Sequence, residues 1–210
     1  MVPAGETSRK QHWDGVYREK PLETVGWYQP VPAISLELIS QLGLSQSAPL
    51  IDVGGGDSYL ADHLLRKGFT DITVLDISGT SLKRAQARLG SQAERIHWVA
   101  SDILDFEPQR PYALWHDRAA FHFLTDPAQA RAYLDRARRG IRPGGYFIVG
   151  TFSENGPSTC SGLPVQRYSI SALQDTASPG FELLRGFNTV HKTPSGGVQE
   201  YTFGVFVHRG

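Results

Sequence analysis

Leu50-Ile51-Asp52-Val53-Gly54-Gly55-Gly56-Asp57-Ser58 is the stretch on which the fold turns. A short apolar run that stops at three glycines predicts a strand ending in a tight turn, with Ser58 opening a helix. Glycine lets the backbone turn sharply and approach a ligand closely, and open α/β sheets bind ligands at the carboxyl ends of their strands.

Outward from that stretch the chain alternates. Short apolar runs at Leu50 to Val53, Ile72 to Leu75, Ile96 to Ala100, Ala113 to Trp115 and Tyr146 to Thr151 predict strands. Between them Ser58 to Lys67, Ser78 to Leu89 and Pro127 to Gly140 can each bury one apolar stripe of a helix. Strands alternating with helices imply crossover connections and a doubly wound α/β fold with a mostly parallel sheet. Arg142-Pro143-Gly144-Gly145 is read as the turn that ends the last of these helices.

The C-terminus breaks the rhythm. Phe181 to Thr193 and Val198 to His208 are strand-like, and Pro194-Ser195-Gly196-Gly197 between them is too short for a crossover helix. These two strands must pair antiparallel, which brings the sheet to seven. At the other end, a helix over Ser8 to Glu19, an aromatic turn at Gly26-Trp27-Tyr28-Gln29-Pro30 and a helix from Pro32 predict an N-terminal helical lid over 1-45 on a core of 46-210, in one domain.

Composition narrows the classes. The chain has 210 residues, 40% hydrophobic and 20% charged, and its 21 Lys+Arg balance 21 Asp+Glu. Nothing in that balance steers it toward nucleic acid or an anionic membrane. Cys160 is the single cysteine, so neither an internal disulfide nor a cysteine-built metal site is available to it, and no metal is expected. No apolar leader stands over Met1 to Gln11 and no run approaches about 18 apolar residues. The expectation is a cytoplasmic protein, monomer or homodimer, with no nucleic acid or membrane partner.

The strand ends carry the candidate site. Asp52 precedes the glycines Gly54 and Gly56. Asp76, after the second strand, stands near the roughly 20-residue offset at which a carboxylate accepts from ribose hydroxyls, and Ile77 beside it would lie against a base. Asp76 also has a structural alternative as a helix N-terminal carboxylate, although Ser78 is a ready N-cap that would free it. Asp102, followed by Ile103, ends the third strand where an acid can accept from an exocyclic amine; capping a turn is its alternative, and Asp105 is a competitor. After the fourth strand, His116, Asp117 and His122 are the titratable candidates for catalysis. Asp117 with Arg118 can equally form a structural ion pair, and each histidine can be a hydrogen-bonded core residue.

Together these motifs resemble the class I S-adenosylmethionine-dependent methyltransferases from Leu50 to the end. The resemblance implies a Rossmann-like fold, S-adenosyl-L-methionine as cofactor and S-adenosyl-L-homocysteine as product. It extends to the N-terminus, where His12-Trp13-Asp14-Gly15-Val16-Tyr17 and Gly26-Trp27-Tyr28 look like the W-D-x-x-Y and W segments of the elongation-factor and citrate-synthase lysine methyltransferase branch. The run Trp115-His116-Asp117-Arg118 through Leu124 looks like bacterial members of uncharacterised specificity. By matching positions the cofactor set becomes Trp13, Tyr17, Trp27, Asp52, Gly54, Gly56, Asp76, Ile77, Asp102, Ile103, Asp117 and Arg118. One departure matters: the lysine-methylating relatives read nearer E-K-G-T where this chain has Asp117-Arg118-Ala119-Ala120.

The neutral charge, the compact length and the aromatic lid favour a small-molecule methyl acceptor, with a protein acceptor second. An ordinary loop thiol is the favoured reading of Cys160, and Arg167 and Tyr168 are candidate acceptor contacts. A nicotinamide-dependent oxidoreductase would share the glycine turn and Asp76. It does not account for Asp52, Asp102 and the terminal hairpin together. A non-catalytic cofactor-binding module shares every cofactor residue.

Overall fold

The computed structural model describes residues 8–178 and 180–210. Part of the segment over which no leader is expected, residues 1–7, lies outside the described residues. Helix α1 (Arg9–Glu19) starts at a capping box in which Ser8 Oγ accepts from Gln11 N–H while the Gln11 side chain accepts from Ser8 N–H. Helix α2 (Ala33–Gln41) follows the aromatic turn. Then come β1 (Leu50–Val53), α3 (Leu60–Arg66), β2 (Ile72–Asp76), α4 (Gly79–Leu89), β3 (Ile96–Ala100), β4 (Tyr112–Arg118), α5 (Pro127–Gly140) and β5 (Ile141–Phe152). A two-residue ladder, β6 (Thr159–Cys160) with β7 (Leu163–Pro164), leads to α6 (Ile170–Ala177), β8 (Phe181–Lys192) and β9 (Val198–His208).

The sheet runs β3-β2-β1-β4-β5-β9-β8. β1 to β5 are parallel to one another, β9 is antiparallel to β5, and β8 is antiparallel to β9. The doubly wound seven-stranded sheet closed by a terminal hairpin is therefore as expected. Among the described residues, no helix is long and apolar enough to cross a membrane.

Strand alternation divides the core in two. Leu50, Ile72, Leu114, Ile148 and Phe203 face one side, with Leu38 of α2 and Leu64 of α3. Ile51, Leu75, Trp115, Phe147 and Phe206 face the other, with Tyr133 of α5 and Leu173 of α6. Because side chains alternate along a strand, this two-sided core also decides which polar residues at the strand ends reach the first face.

Three local expectations change. β4 runs on to Arg118, so His116, Asp117 and Arg118 belong to a strand rather than to the loop beyond it. Arg142-Pro143-Gly144-Gly145 does not end a helix; α5 has already stopped at Gly140, and these residues bulge inside β5 between the pairs Tyr112 with Ile141 and Leu114 with Tyr146. Helix α6, capped by Ser169 accepting from Ala172 N–H, is unannounced in the sequence pattern.

Candidate active site

At the carboxyl ends of β1 to β4, and beneath α1, lies a pocket of about 1220 Å³ of empty space including its open mouth. Its floor is the glycine turn. Gly54 and Gly56 sit at φ +67 and +50, a region side chains strain to enter. A Cβ on Gly54 would collide with Ala120 Cβ; one on Gly56 would stand 2.8 Å from the Tyr17 hydroxyl and 3.1 Å from Asp76 Oδ2. The turn is thus bare backbone because two walls press on it.

Asp76 lines the pocket, and its Oδ1 accepts from Ser78 N–H at 2.7 Å. Burial pushes its carboxyl up to about 7, against the hydrogen bonds from Ser78 and Ser81, with Asp57 and Asp52 adding repulsion. Ile77, Asp102 and Ile103 also line the pocket. Asp102 Oδ1 caps its own turn through Leu104 N–H at 2.9 Å, and Oδ2 pairs with Arg9 of α1 at 2.8 Å. Asp52, in register with His116, accepts from His116 Nδ1 at 2.7 Å, and the ring's Nε2 meets Ser35 Oγ of α2 at 2.8 Å.

The aromatic wall comes from the N-terminal segment. Trp13, Tyr17 and Trp27 all line the pocket. Trp13 lies 5.0 Å from the Phe123 ring and 6.0 Å from Trp27, edge to face in both cases. Helix α1 is tied to α4 at its middle and at its C-terminal end. Asp14 Oδ1 accepts from Ser78 Oγ at 2.7 Å and Thr80 N–H at 3.2 Å at the start of α4, while Arg84 donates to the carbonyls of Tyr17 and Lys20 at the end of α1. Burial raises the Asp14 carboxyl, but the bonds from Lys10, Ser78 and Thr80 outweigh it and hold it below the usual range. From α4, Arg88 also grips the turn, donating to the carbonyls of Asp57 and Ser58 and to both oxygens of Asp62. Asp57 is buried beneath, in an ion pair with Arg84 Nε at 3.0 Å.

The three residues expected to catalyse are not gathered in this pocket. Asp117 is fully buried on the α5 face, its Oδ1 accepting from Ala120 and Phe121 N–H at 2.9 and 3.1 Å and its Oδ2 from Tyr133 OH at 2.7 Å. Burial pushes it up to about 6 despite those bonds. The physical reason is alternation: β4 continues through it, so His116 and Arg118 face the pocket and Asp117 cannot. His122 is also fully buried, accepting from Phe152 N–H at 3.2 Å, and burial holds its pKa down at about 3, with the Arg118 charge adding to the effect. His116 does line the pocket, with both ring nitrogens engaged.

Arg118, expected with the cofactor, lines the pocket but leans over the β9 side. Its Nη1 donates to the Trp27 carbonyl at 3.1 Å, and its guanidinium lies 5.0 Å over the Tyr201 ring. Cys160 lines the same region, half-buried, and burial pushes its thiol up. Arg167 is spent on the carbonyls of Glu154 and Gly156, and Tyr168 stacks on Phe121 in the core. Neither lines the pocket. Sequence reasoning missed Arg9, Ser35, Tyr28, Gln29 and Tyr59, which do. Arg9 had one available signal, its place in the first turn of a helix whose Trp13 and Tyr17 were already candidates.

Ala119 holds φ +69, uncommon for a residue with a side chain. Asp117 locks it there by taking the next two amides, and Ala119 N–H donates to the Gly150 carbonyl at 2.8 Å. Ala119→Gly is therefore expected to stabilise the protein by roughly 0.5–1 kcal/mol, measured by urea unfolding. Loss of stability would show that the Ala119 methyl packs more favourably than its backbone is strained.

The family described as Methyltransferase domain matches residues 50–145, which spans the glycine turn and the ends of β2, β3 and β4. Among curated proteins the chain is similar to "EEF1A lysine methyltransferase 2" of Danio rerio, 24% identical over 195 residues, 86% of this chain and 78% of that protein. It is also similar to "Malonyl-[acyl-carrier protein] O-methyltransferase 2" of Ilyobacter polytropus, 26% identical over 50% of this chain and 40% of that protein. The chain thus spans less than half the length of the second relative. Among solved structures, the N-methyltransferase NodS of Bradyrhizobium japonicum WM9 in complex with S-adenosyl-L-homocysteine shares the fold, with a TM-score of 0.68 at 18% identity over 95% of this chain and 99% of that one. With a match to a methyltransferase domain lying across the glycine turn and three carboxylates at successive strand ends, the chain is an S-adenosylmethionine-dependent methyltransferase on the class I fold.

Proposed function

We propose that the chain methylates a small-molecule nucleophile held between the glycine turn and the aromatic wall of α1. The observation that carries this reading is the pocket itself, whose acceptor side is walled by Trp13, Trp27, Phe123 and Arg118 under a helix pinned to α4. These side chains suit a compact guest. The resemblance to a protein lysine methyltransferase supports a second reading in which the acceptor is a lysine side chain entering from the mouth.

The residues present fit the cofactor. Gly54 and Gly56 leave backbone where side chains would collide, Asp76 offers a carboxylate for paired hydroxyls, and Asp102 with Ile103 suits an adenine edge and face. Trp13, Tyr17 and Trp27 would cover it. Bound S-adenosylmethionine supplies a methyl already activated on a sulfonium, so the chain's own task is to orient an acceptor and exclude water. None of Asp117, His116 and His122 presents an unengaged base to the pocket, so Asp52, His116 and Ser35 serve as a buried brace between β1, β4 and α2. That arrangement favours acceptors that react without deprotonation by the enzyme.

The test is transfer of radiolabelled methyl from S-adenosylmethionine in a cognate lysate fractionated by size. Label in the small-molecule fraction supports the proposal. Label confined to macromolecules would replace it with the protein-lysine reading. Absence of any transfer, with S-adenosylhomocysteine still bound in calorimetry, would point to a non-catalytic binding module.

A further inference from the structure

Arg118 is the cation of the pocket's far side. Its guanidinium reaches over the Tyr201 ring of β9, at 5.0 Å from the ring centre. Nη1 is taken by the Trp27 carbonyl. Nη2 is buried and has no hydrogen-bond partner among the described residues, and no carboxylate among them pairs with the guanidinium. A buried guanidinium nitrogen without a partner is costly, since desolvation is then uncompensated.

The segment around it is fixed. His191 of β8 donates from Nε2 to the Gly26 carbonyl at 2.9 Å and accepts at Nδ1 from Gln29 Nε2 at 3.4 Å, holding the Trp27 turn against the hairpin. Around the cation stand Trp27, Tyr201 and Cys160. An aromatic-walled site with one unsatisfied donor at its edge fits a small anion-bearing guest. The side chain leans toward β9, on the opposite side of β4 from the glycine turn of β1.

We propose that Arg118 determines acceptor specificity by pairing, through Nη2, with a carboxylate on a small aromatic acceptor. This rests on the small-molecule reading of the pocket. The carboxylate satisfies the orphan donor, and the flat part of the guest lies among the aromatic rings.

Calorimetry on protein saturated with S-adenosylhomocysteine tests this with two matched pairs, benzoate against benzamide and phenylacetate against phenylacetamide. The acids are expected to bind at least about tenfold more tightly than the amides, since one charge-assisted hydrogen bond is worth that much or more. Arg118→Gln should erase the preference and Arg118→Lys should keep part of it, with S-adenosylhomocysteine affinity within about twofold of the parent in both; that retained affinity also certifies a folded variant. Equal binding of acids and amides overturns the proposal, as does a preference that survives Arg118→Gln. A roughly tenfold loss of S-adenosylhomocysteine affinity in Arg118→Gln, with Arg118→Lys unaffected, also overturns it by assigning the guanidinium to the cofactor. Failure of the parent protein to bind S-adenosylhomocysteine at all would strike the cofactor seat instead, leaving the two failures distinguishable.

Discussion

Asp76→Asn is expected to weaken S-adenosylhomocysteine binding by about a hundredfold while making the empty protein more stable. The asparagine oxygen can keep the bond from Ser78 N–H, but its NH₂ group then faces the pocket and cannot accept from hydroxyls. Hydrogen bonds to a charged acceptor contribute roughly 1.5–3 kcal/mol each, and each 1.4 kcal/mol is about tenfold in affinity. The gain in stability follows from the carboxyl's raised pKa of about 7. Its folded pKa lies above the unfolded one, so the folded state holds the extra proton between those values, and stability is lost as pH rises through about 7. A neutral amide escapes that loss.

The same titration sets the pH dependence of binding, with the opposite sign. Hydroxyl donors need the ionised carboxylate, so affinity should fall as pH drops below about 7 in the parent and stay flat in Asp76→Asn. Calorimetry at pH 8.5 and 6 together with thermal melting of the empty protein checks both halves. An affinity that ignores pH in the parent, or an Asp76→Asn protein that melts lower, contradicts this account.

Asp117→Ala carries the second large effect, a loss of about 3–5 kcal/mol in folding stability. The substitution strands Ala120 N–H, Phe121 N–H and Tyr133 OH inside the core, and each orphaned buried donor costs roughly 1–3 kcal/mol. It also frees the positive-φ turn that presses Ala120 against Gly54, so the floor of the pocket loosens with the core. Asp117→Asn should be far milder, because one amide oxygen serves both backbone donors and the tyrosine hydroxyl can rotate. Denaturant unfolding of both variants, beside turnover per folded molecule, separates the roles. If Asp117 were a general base, the asparagine variant would stay folded and lose turnover; the buried geometry predicts that it keeps most of it.

What the sequence revealed follows from what apolar periodicity can encode. The strands ending at Val53, Asp76, Ala100 and Phe152 and the terminal hairpin were legible because their buried faces write themselves into runs of Ile, Val, Leu and Phe. β4 was legible only to Trp115, since His116-Asp117-Arg118 are polar, and those three residues decide which face each side chain takes. That is why Asp117 was expected in the pocket. Helix α6 escaped because its eight residues bury only Leu173 and Ala177, too few to show a stripe. Arg9 with Asp102 and Asp14 with Ser78 were hidden for another reason. Their partners are 93 and 64 residues away, and no local pattern announces an ion pair across that distance.

The mutual capping of α1 and α4 has an evolutionary consequence. Asp14 binds the residue two positions after Asp76, and Arg9 binds Asp102, so the segment that walls the proposed acceptor chamber also braces two of the proposed cofactor carboxylates. Swapping the first twenty residues between homologues to change what is methylated would alter the grip on the methyl donor at the same time. Divergence of substrate choice in such a chain is therefore channelled toward the side not tied to α4, along the hairpin that carries Tyr201 and His191.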